Sequence, residues 1–108
     1  MKLVIIESPY AGDISRNVTY ARRALMHSLY SGEAPIASHL LYTQEGVLDD
    51  GVLDERELGI AAGLAWRKVA ELSVFYADYG WSPGMRKARA LLEREHRPYE
   101  VRFIGENL

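Results

Sequence analysis

Residues 2–7 read KLVIIE and are followed at once by Ser8-Pro9. All four residues from Leu3 to Ile6 are apolar, so a strand built from them is apolar on both faces. A short apolar run that ends at a turn signal is typical of an interior strand in a parallel sheet, where helices cover both faces. This stretch therefore predicts the centre of an α/β sheet.

The rest of the chain alternates between helical and strand patterns. Helices are predicted from near Asn17 to Gly32, from Asp54 to about residue 70, and from Ser82 to about residue 96. Further strands are predicted at residues 35–38, 72–77 and 99–104, the last at a sheet edge because its alternating pattern indicates one wet face. A β-α-β-α-β-α-β order produces right-handed crossovers. We therefore expect an α/β protein with a small parallel sheet, of about four to five strands, flanked by helices.

Periodicity also assigns buried faces to these elements. The apolar side of the second helix is predicted to pack closely on the sheet, and its members are Leu58, Ala61, Ala62, Ala65 and Val69. Trp66 and Tyr76 are predicted to lie in the core.

The composition excludes several classes of protein. A length of 108 residues is enough for one domain, which we place at residues 1–108. With 13 basic and 15 acidic residues, the chain has no overall positive field for a nucleic acid polymer or an anionic membrane. Cysteine is absent, which excludes disulfides and thiolate catalysis. The apolar runs are far shorter than the roughly 20 residues of a membrane span, and no signal peptide is predicted, so we expect a cytoplasmic protein.

The predicted connections after the strands hold most of the unusual residues. Ligands of open parallel sheets bind beyond the carboxyl ends of the strands, which is where these connections lie. The candidate ligand-binding residues are Ser8, Tyr10, Gly12, Asp13, Arg16, Asn17, His39, Asp78, Ser82, Gly84 and Met85.

Each candidate has a chemical role and a structural alternative. The helix start at Ser82-Pro83-Gly84 suits a phosphate or carboxylate, but Ser82 can simply cap the helix. Asp13 can accept from a sugar hydroxyl or act as a turn residue. Arg16 can neutralise a phosphate or face solvent, and His39 can contact a ligand, carry a proton or be purely structural.

No metal site and no cofactor are predicted. The histidines, at positions 27, 39 and 96, have no close spacing to a carboxylate. The six acids from Glu45 to Glu57 lack the alternation of a calcium-binding loop and predict a solvated segment. Within it, Glu57 is the acid that we expect to point back into the fold.

Five stretches, read together, point to a family. They are SPYAGD (residues 8–13), NVTYARR (17–23), PIASH (35–39), RELGIAAG (56–63) and YGWSPGM (79–85). Together they resemble the nucleoside 2-deoxyribosyltransferase-like superfamily, and more narrowly its small members from bacteria and bacteriophages. The resemblance covers nearly the whole chain, and its most specific parts are the SPYAGD loop and the S-x-G-M helix entrance.

This resemblance implies a Rossmann-like three-layer fold that binds a nucleoside or nucleotide. It places Tyr10, Gly12 and Asp13 at the base and sugar, and Ser82 and Gly84 at a 5′-phosphate. In active relatives a glutamate attacks the anomeric carbon, and water or a second base completes hydrolysis or transfer. Relatives often build their sites across subunit interfaces, so a homo-oligomer is expected.

The chain departs from this pattern at one position. The helix after the third strand carries Ala88 where the resemblance implies the nucleophilic glutamate. Glu7, Glu57 and Asp13 remain as candidate catalytic acids. Three functions therefore stay open. The first is cleavage or transfer at the N-glycosidic bond of a nucleotide, and the second is non-catalytic sequestration of a nucleotide or an ADP-ribose-like signal. The third is a structural subunit that binds another protein.

Overall fold

In the computed structural model of the chain, residues 1–105 are described, and they form four strands joined by helices. The strands are β1 (Lys2–Glu7), β2 (Glu33–Ile36), β3 (Leu72–Tyr76) and β4 (Tyr99–Arg102). The helices are α1 (Ile14–Tyr30), α2 (Ser38–Leu41), α3 (Leu53–Ala65) and α4 (Pro83–Arg94), and a 3-10 turn spans Trp66–Lys68. Residues 106–108, which the predicted domain included, lie outside the described residues. Within residues 1–105, every helix is too short or too polar to cross a bilayer.

The four strands form one sheet in the order β2-β1-β3-β4, and every pairing is parallel. Ile5 pairs with Ile36 on one side and with Ser73 on the other, so β1 is an interior strand as its apolar run predicts. β4 lies at an edge, also as predicted. The α/β arrangement of a parallel sheet flanked by helices is confirmed.

The two faces of the sheet are covered by different helices. Val4 and Ile6 of β1 pack with Tyr20 and Ala24 of α1. On the other face, Phe75 of β3 packs with three residues of α4, which are Met85, Ala88 and Leu92. Because side chains alternate along a strand, Glu7 points to the opposite side from Ile6, and it pairs in register with Phe75. Glu7 therefore projects toward the α4 side of the sheet.

The start of α1 and the position of β2 differ from the prediction. α1 begins at Ile14 rather than near Asn17, because Asp13 caps it by accepting a hydrogen bond from the Arg16 amide. β2 ends at Ile36, so His39 lies in the short helix α2 and not at the end of a strand. Ser82 caps α4 through the Met85 amide, which confirms the predicted start of that helix.

The predicted buried face of α3 is wrong. Leu58 is 60% exposed and Val69 is 62% exposed, because α3 packs mainly against α2 rather than on the sheet. Trp66, predicted to be core, is 41% exposed, whereas Tyr76 is fully buried as predicted. The one buried residue that α3 contributes within the described chain is Gly63.

Gly63→Ala is expected to destabilise the protein by about 1–3 kcal/mol, the usual effect of overpacking. A β-carbon at this position would lie 2.9 Å from Ser38 Cβ and closer still to Ser38 Oγ, so α2 and α3 would have to separate. Urea denaturation measures the change, and Gly84→Ala is the matched control because the nearest atom to its β-carbon is Ser82 Oγ at 3.9 Å. Equal stability of the two variants would contradict the close α2–α3 contact.

Candidate functional site

A cavity of about 320 Å³ opens where β1 ends and α4 begins, with α2 and α3 forming its opposite wall. Its volume falls in the range of about 300–1,000 Å³ that is usual for small-molecule sites. The cavity lies beyond the carboxyl ends of the strands, where open parallel sheets bind their ligands. The predicted site residues that line it are Glu7, Ser8, Tyr10, His39, Ser82, Gly84 and Met85.

The other predicted site residues lie elsewhere and make structural contacts. Asp13 caps α1 after Gly12, whose φ of +96° suits glycine. The buried side-chain amide of Asn17 donates hydrogen bonds to the carbonyls of Tyr10 and Ala11, which fixes the loop after β1. These contacts place Asn17 behind the cavity wall and give Asp13 and Gly12 roles in the turn.

Arg16, Asp78 and Glu57 are also absent from the cavity lining. The Arg16 guanidinium lies 3.9 Å from the centre of the Tyr79 ring, in a separate open depression beside α1. Asp78 accepts hydrogen bonds from Tyr20 and from the Ile104 and Gly105 amides, which ties the end of β3 to the segment after β4. Glu57 is exposed, so the prediction that it points back into the fold is wrong. Its position on the solvent side of α3 follows from the packing of that helix on α2.

Glu7 is the acid at the floor of the cavity. It is the last residue of β1, and its carboxyl group has no hydrogen-bond partner among residues 1–105. Burial raises the pKa of Glu7 from 4.5 to about 7, since a buried carboxylate loses its hydration. The protonated and the ionised forms of Glu7 are therefore both populated near neutral pH. The protonated form can donate a proton, and the ionised form can accept one or attack an electrophile.

Ser8 and His39 form a hydrogen-bonded pair in the cavity wall. Ser8 Oγ lies 2.7 Å from His39 Nε2, and the pair links the end of β1 to α2. Burial lowers the pKa of His39 from 6.5 to about 4, so the imidazole is neutral at physiological pH. A neutral imidazole with one nitrogen held by Ser8 can donate to or accept from a ligand through the other.

The start of α4 supplies hydrogen-bond donors at the wall that faces α2 and α3 across the cavity. Ser82 Oγ accepts from the Met85 amide at 3.2 Å, while the Gly84 amide, in the first turn, lacks an intrahelical acceptor. Lys87, one turn further along, also lines the cavity. Amide dipoles and a lysine on one wall favour an anionic group there.

The segment after α2 and the first turn of α3 contribute residues that the sequence does not predict for the site. Tyr42, Thr43 and Asp50 of the segment line the cavity together with Glu55 and Arg56 of α3. The sequence predicts a solvated segment for these acids. The alternation of strand and helix patterns does not indicate that the chain folds back over the cavity here.

Ala88 lies at the position that the resemblance implies for a nucleophile. It is buried on α4, packs in the cluster around Phe75 and lines the cavity. Where the resemblance implies a carboxylate, a methyl group lines the cavity.

Fold and site together define an α/β protein with a ligand-sized cavity at the carboxyl ends of its parallel strands. Within residues 1–105, histidine and acidic side chains nowhere gather in a group of three or more that could hold a metal ion. Residues 2–102 match the family described as a domain of unknown function (DUF7768), and the chain belongs to that family. No curated protein and no solved structure matches the chain.

Proposed function

We propose that this protein binds a nucleoside or nucleotide in the cavity between β1, α2, α3 and α4. The observation that carries the proposal is the meeting of three kinds of group in one ligand-sized space. These are an aromatic ring, Tyr10, an unpartnered carboxyl group, Glu7, and the amide-rich start of α4 at Gly84. A ligand that has a flat base, a sugar and a phosphate presents a matching partner to each.

Each wall suits one part of such a ligand. The Tyr10 ring offers a stacking surface for a base, and neutral His39 offers a hydrogen bond to its edge. The Gly84 amide and Lys87 suit a 5′-phosphate, because the start of α4 combines a partial positive charge with a nearby ammonium group. The sugar would then lie between them, above Glu7.

Two outcomes of binding remain within this proposal. Cleavage or transfer at the N-glycosidic bond needs a carboxylate beside the anomeric carbon. Non-catalytic binding, including sequestration of an ADP-ribose-like signal, is favoured by one specific observation, the methyl group of Ala88 at the expected place of the nucleophile. Loss of a nucleophile lowers the rate by orders of magnitude while leaving a site that binds.

The proposal includes a homo-oligomer in the cytoplasm that acts on small molecules rather than on nucleic acid polymers. Exposed apolar side chains of α3, including Leu53 and Leu58, offer surface that a second copy of the chain can cover. The cysteine-free composition is in keeping with a reducing compartment.

Calorimetric titration with nucleosides, nucleoside 5′-monophosphates and ADP-ribose tests the proposal. We expect Gly84→Ala to weaken binding of a monophosphate about tenfold, which corresponds to 1.4 kcal/mol, and to change binding of the matching nucleoside much less. The reason is that a methyl group at Gly84 obstructs close approach of the phosphate to the first turn of α4. Equal weakening of both ligands would contradict the phosphate position, and flat titrations with all of them would contradict the proposed function.

A further inference from the structure

The outer side of α3 is apolar and exposed. The inner side of this helix lines the cavity through Arg56, Gly59 and Gly63. The outer side, continued by the turn after the helix, holds most of the apolar stripe that periodicity predicts to be buried, and its side chains are exposed. They are Leu58, Ala61, Ala65 and Val69. Because a helical stripe of this kind is normally covered, the sequence and the structure together point to a partner on this side of α3.

Charged residues flank this outer side in an order that a second copy of the chain can match. Asp54 lies at the start of α3 and Lys68 in the turn after it, and both are exposed. Neither side chain makes a hydrogen bond or an ion pair within residues 1–105. Ala61 lies seven residues, or two helical turns, from each of them, so the three residues share one side of the helix. The outer side is therefore acidic at one end, apolar in the middle and basic at the other end.

We propose that this protein forms a twofold dimer in which the outer sides of two α3 helices pack antiparallel, with Ala61 at the symmetry axis. In such a pair, the residue seven positions before the axis lies across from the residue seven positions after it. Asp54 of each copy then meets Lys68 of the other copy, and Leu58 of each copy lies beside Ala65 of the other. The small side chain of Ala61 lets the two backbones approach closely. The inference rests on the self-association in the proposed function, but not on the ligand.

The end of α1 is a second exposed apolar surface, and its charges argue against pairing with itself. Met26, Leu29 and Tyr30 are exposed there. The α1 helix carries three arginines and no acid, so two copies of it would bring like charges together. The α3 helix and its following turn carry both signs at opposite ends, which favours this helix as the contact between two copies.

The proposed dimer leaves the two cavities separate. Because the inner side of α3 faces away from the interface, each copy keeps its own cavity, in contrast to a site built across a subunit interface. The α3 helix packs mainly against α2 and not on the sheet, so the contact with a second copy would hold a part of the chain that has little other support. The dimer is therefore expected to steady the helical wall of the cavity without adding residues to it.

Sedimentation velocity from about 1 μM to about 500 μM measures self-association, and we expect a dissociation constant between about 10 and 100 μM, because a single helix pair is a small interface. Ala61→Arg is expected to raise this constant at least about tenfold, since two guanidinium groups would meet at the axis. Position 61 is exposed in the single chain, so this variant should fold normally, which circular dichroism checks.

A charge exchange tests the antiparallel arrangement. Lys68→Glu is expected to raise the dissociation constant about tenfold, because it sets a carboxylate opposite Asp54. The double variant Asp54→Lys, Lys68→Glu is expected to return it to within about threefold of the unmodified protein, since each pair forms again with its signs exchanged. Arg22→Glu makes the same change of charge at an exposed position of α1 and is the matched control, with no expected effect. A double variant as weak as Lys68→Glu would overturn the antiparallel pairing.

Hydrogen exchange below and above the dissociation constant locates the interface. We expect slower exchange of the α3 amides in the dimer and unchanged exchange in α1. A protein that stays monomeric at the highest concentration would leave the outer side of α3 to a different partner and overturn the inference, as would a dimer that protects α1 alone. Calorimetric titration with nucleotides reads the ligand separately. A monomer that binds nucleotide overturns the dimer alone, and a dimer that binds none overturns only the ligand of the proposed function.

Discussion

Replacement of Arg102 by Met is expected to lower the free energy of unfolding by about 3–5 kcal/mol, the usual cost of leaving one charge of a buried ion pair without its partner. Two Arg102 nitrogens donate to the two carboxylate oxygens of Glu33 at 2.8 and 2.7 Å. Glu33 is only 8% exposed and also accepts from Ser28 Oγ at 2.7 Å. Because β2 and β4 are the two edges of the sheet, the pair connects its outermost strands on the α1 side.

The same pair predicts a pH dependence with a definite sign. The Arg102 hydrogen bonds lower the pKa of Glu33 from 4.5 to about 2, so the folded protein holds the ionised form more tightly than the unfolded chain does. The stabilisation is therefore complete above about pH 4.5 and is lost as the pH falls through about 2. Arg102→Met should remove this part of the acid dependence.

Urea denaturation of Arg102→Met at pH 7 and pH 3 measures both effects. Arg22→Met, at an exposed position of α1, is the matched control and should change the stability by less than about 0.5 kcal/mol. If Arg102→Met is as mild as the control, the two edges of the sheet are not held by this pair.

Replacement of Glu7 by Gln is expected to stabilise the protein at pH 8 by on the order of 3 kcal/mol, at about 1.4 kcal/mol for each pKa unit. Burial raises the pKa of Glu7 to about 7, so the folded protein binds this proton more tightly than the unfolded chain. The stability of the unmodified protein should therefore fall between about pH 4.5 and 7 and stay level above that range. The Gln side chain carries no charge and escapes this loss.

Thermal unfolding at several pH values from 4 to 8 checks the expectation. The melting temperatures of the unmodified protein and Glu7→Gln should agree near pH 4 and separate as the pH rises. Glu57→Gln, at an exposed position of α3, is the matched control and should follow the unmodified protein throughout. Parallel curves for Glu7→Gln and the unmodified protein would show that the Glu7 carboxyl group is solvated in the folded protein, and would contradict its burial.

The fold was predictable where local signals and tertiary packing agree. The apolar run of β1 and the Ser82-Pro83 start of α4 identified an interior strand and a helix terminus correctly. The region between β2 and α3 was not predictable in the same way. The residues of PIASH predict a strand, because β-branched and small residues do not distinguish a strand end from a short helix. In the structure the strand ends at Ile36 and α2 begins at Ser38, and α3 packs against α2 rather than on the sheet.

The site was predictable to the extent that parallel topology gathers the ends of strands. Glu7, Tyr10 and Gly84 line one cavity because β1 ends beside the start of α4. The contributions of Asp50 and Arg56 depend on the return of the chain after α2, which no local pattern encodes. The missing partner of the Glu7 carboxyl group is likewise a property of three-dimensional packing, since it depends on what α2, α3 and α4 place around the end of β1.

A crystal structure of the protein soaked with a deoxynucleoside 5′-monophosphate tests the central claim most directly, since it locates the ligand without relying on activity. The expected result is a nucleotide in the cavity, with its base against Tyr10, its phosphate at the Gly84 amide and its anomeric carbon facing Glu7. A nucleotide bound instead in the open depression beside Arg16 and Tyr79, or an empty cavity at saturating ligand, would contradict it.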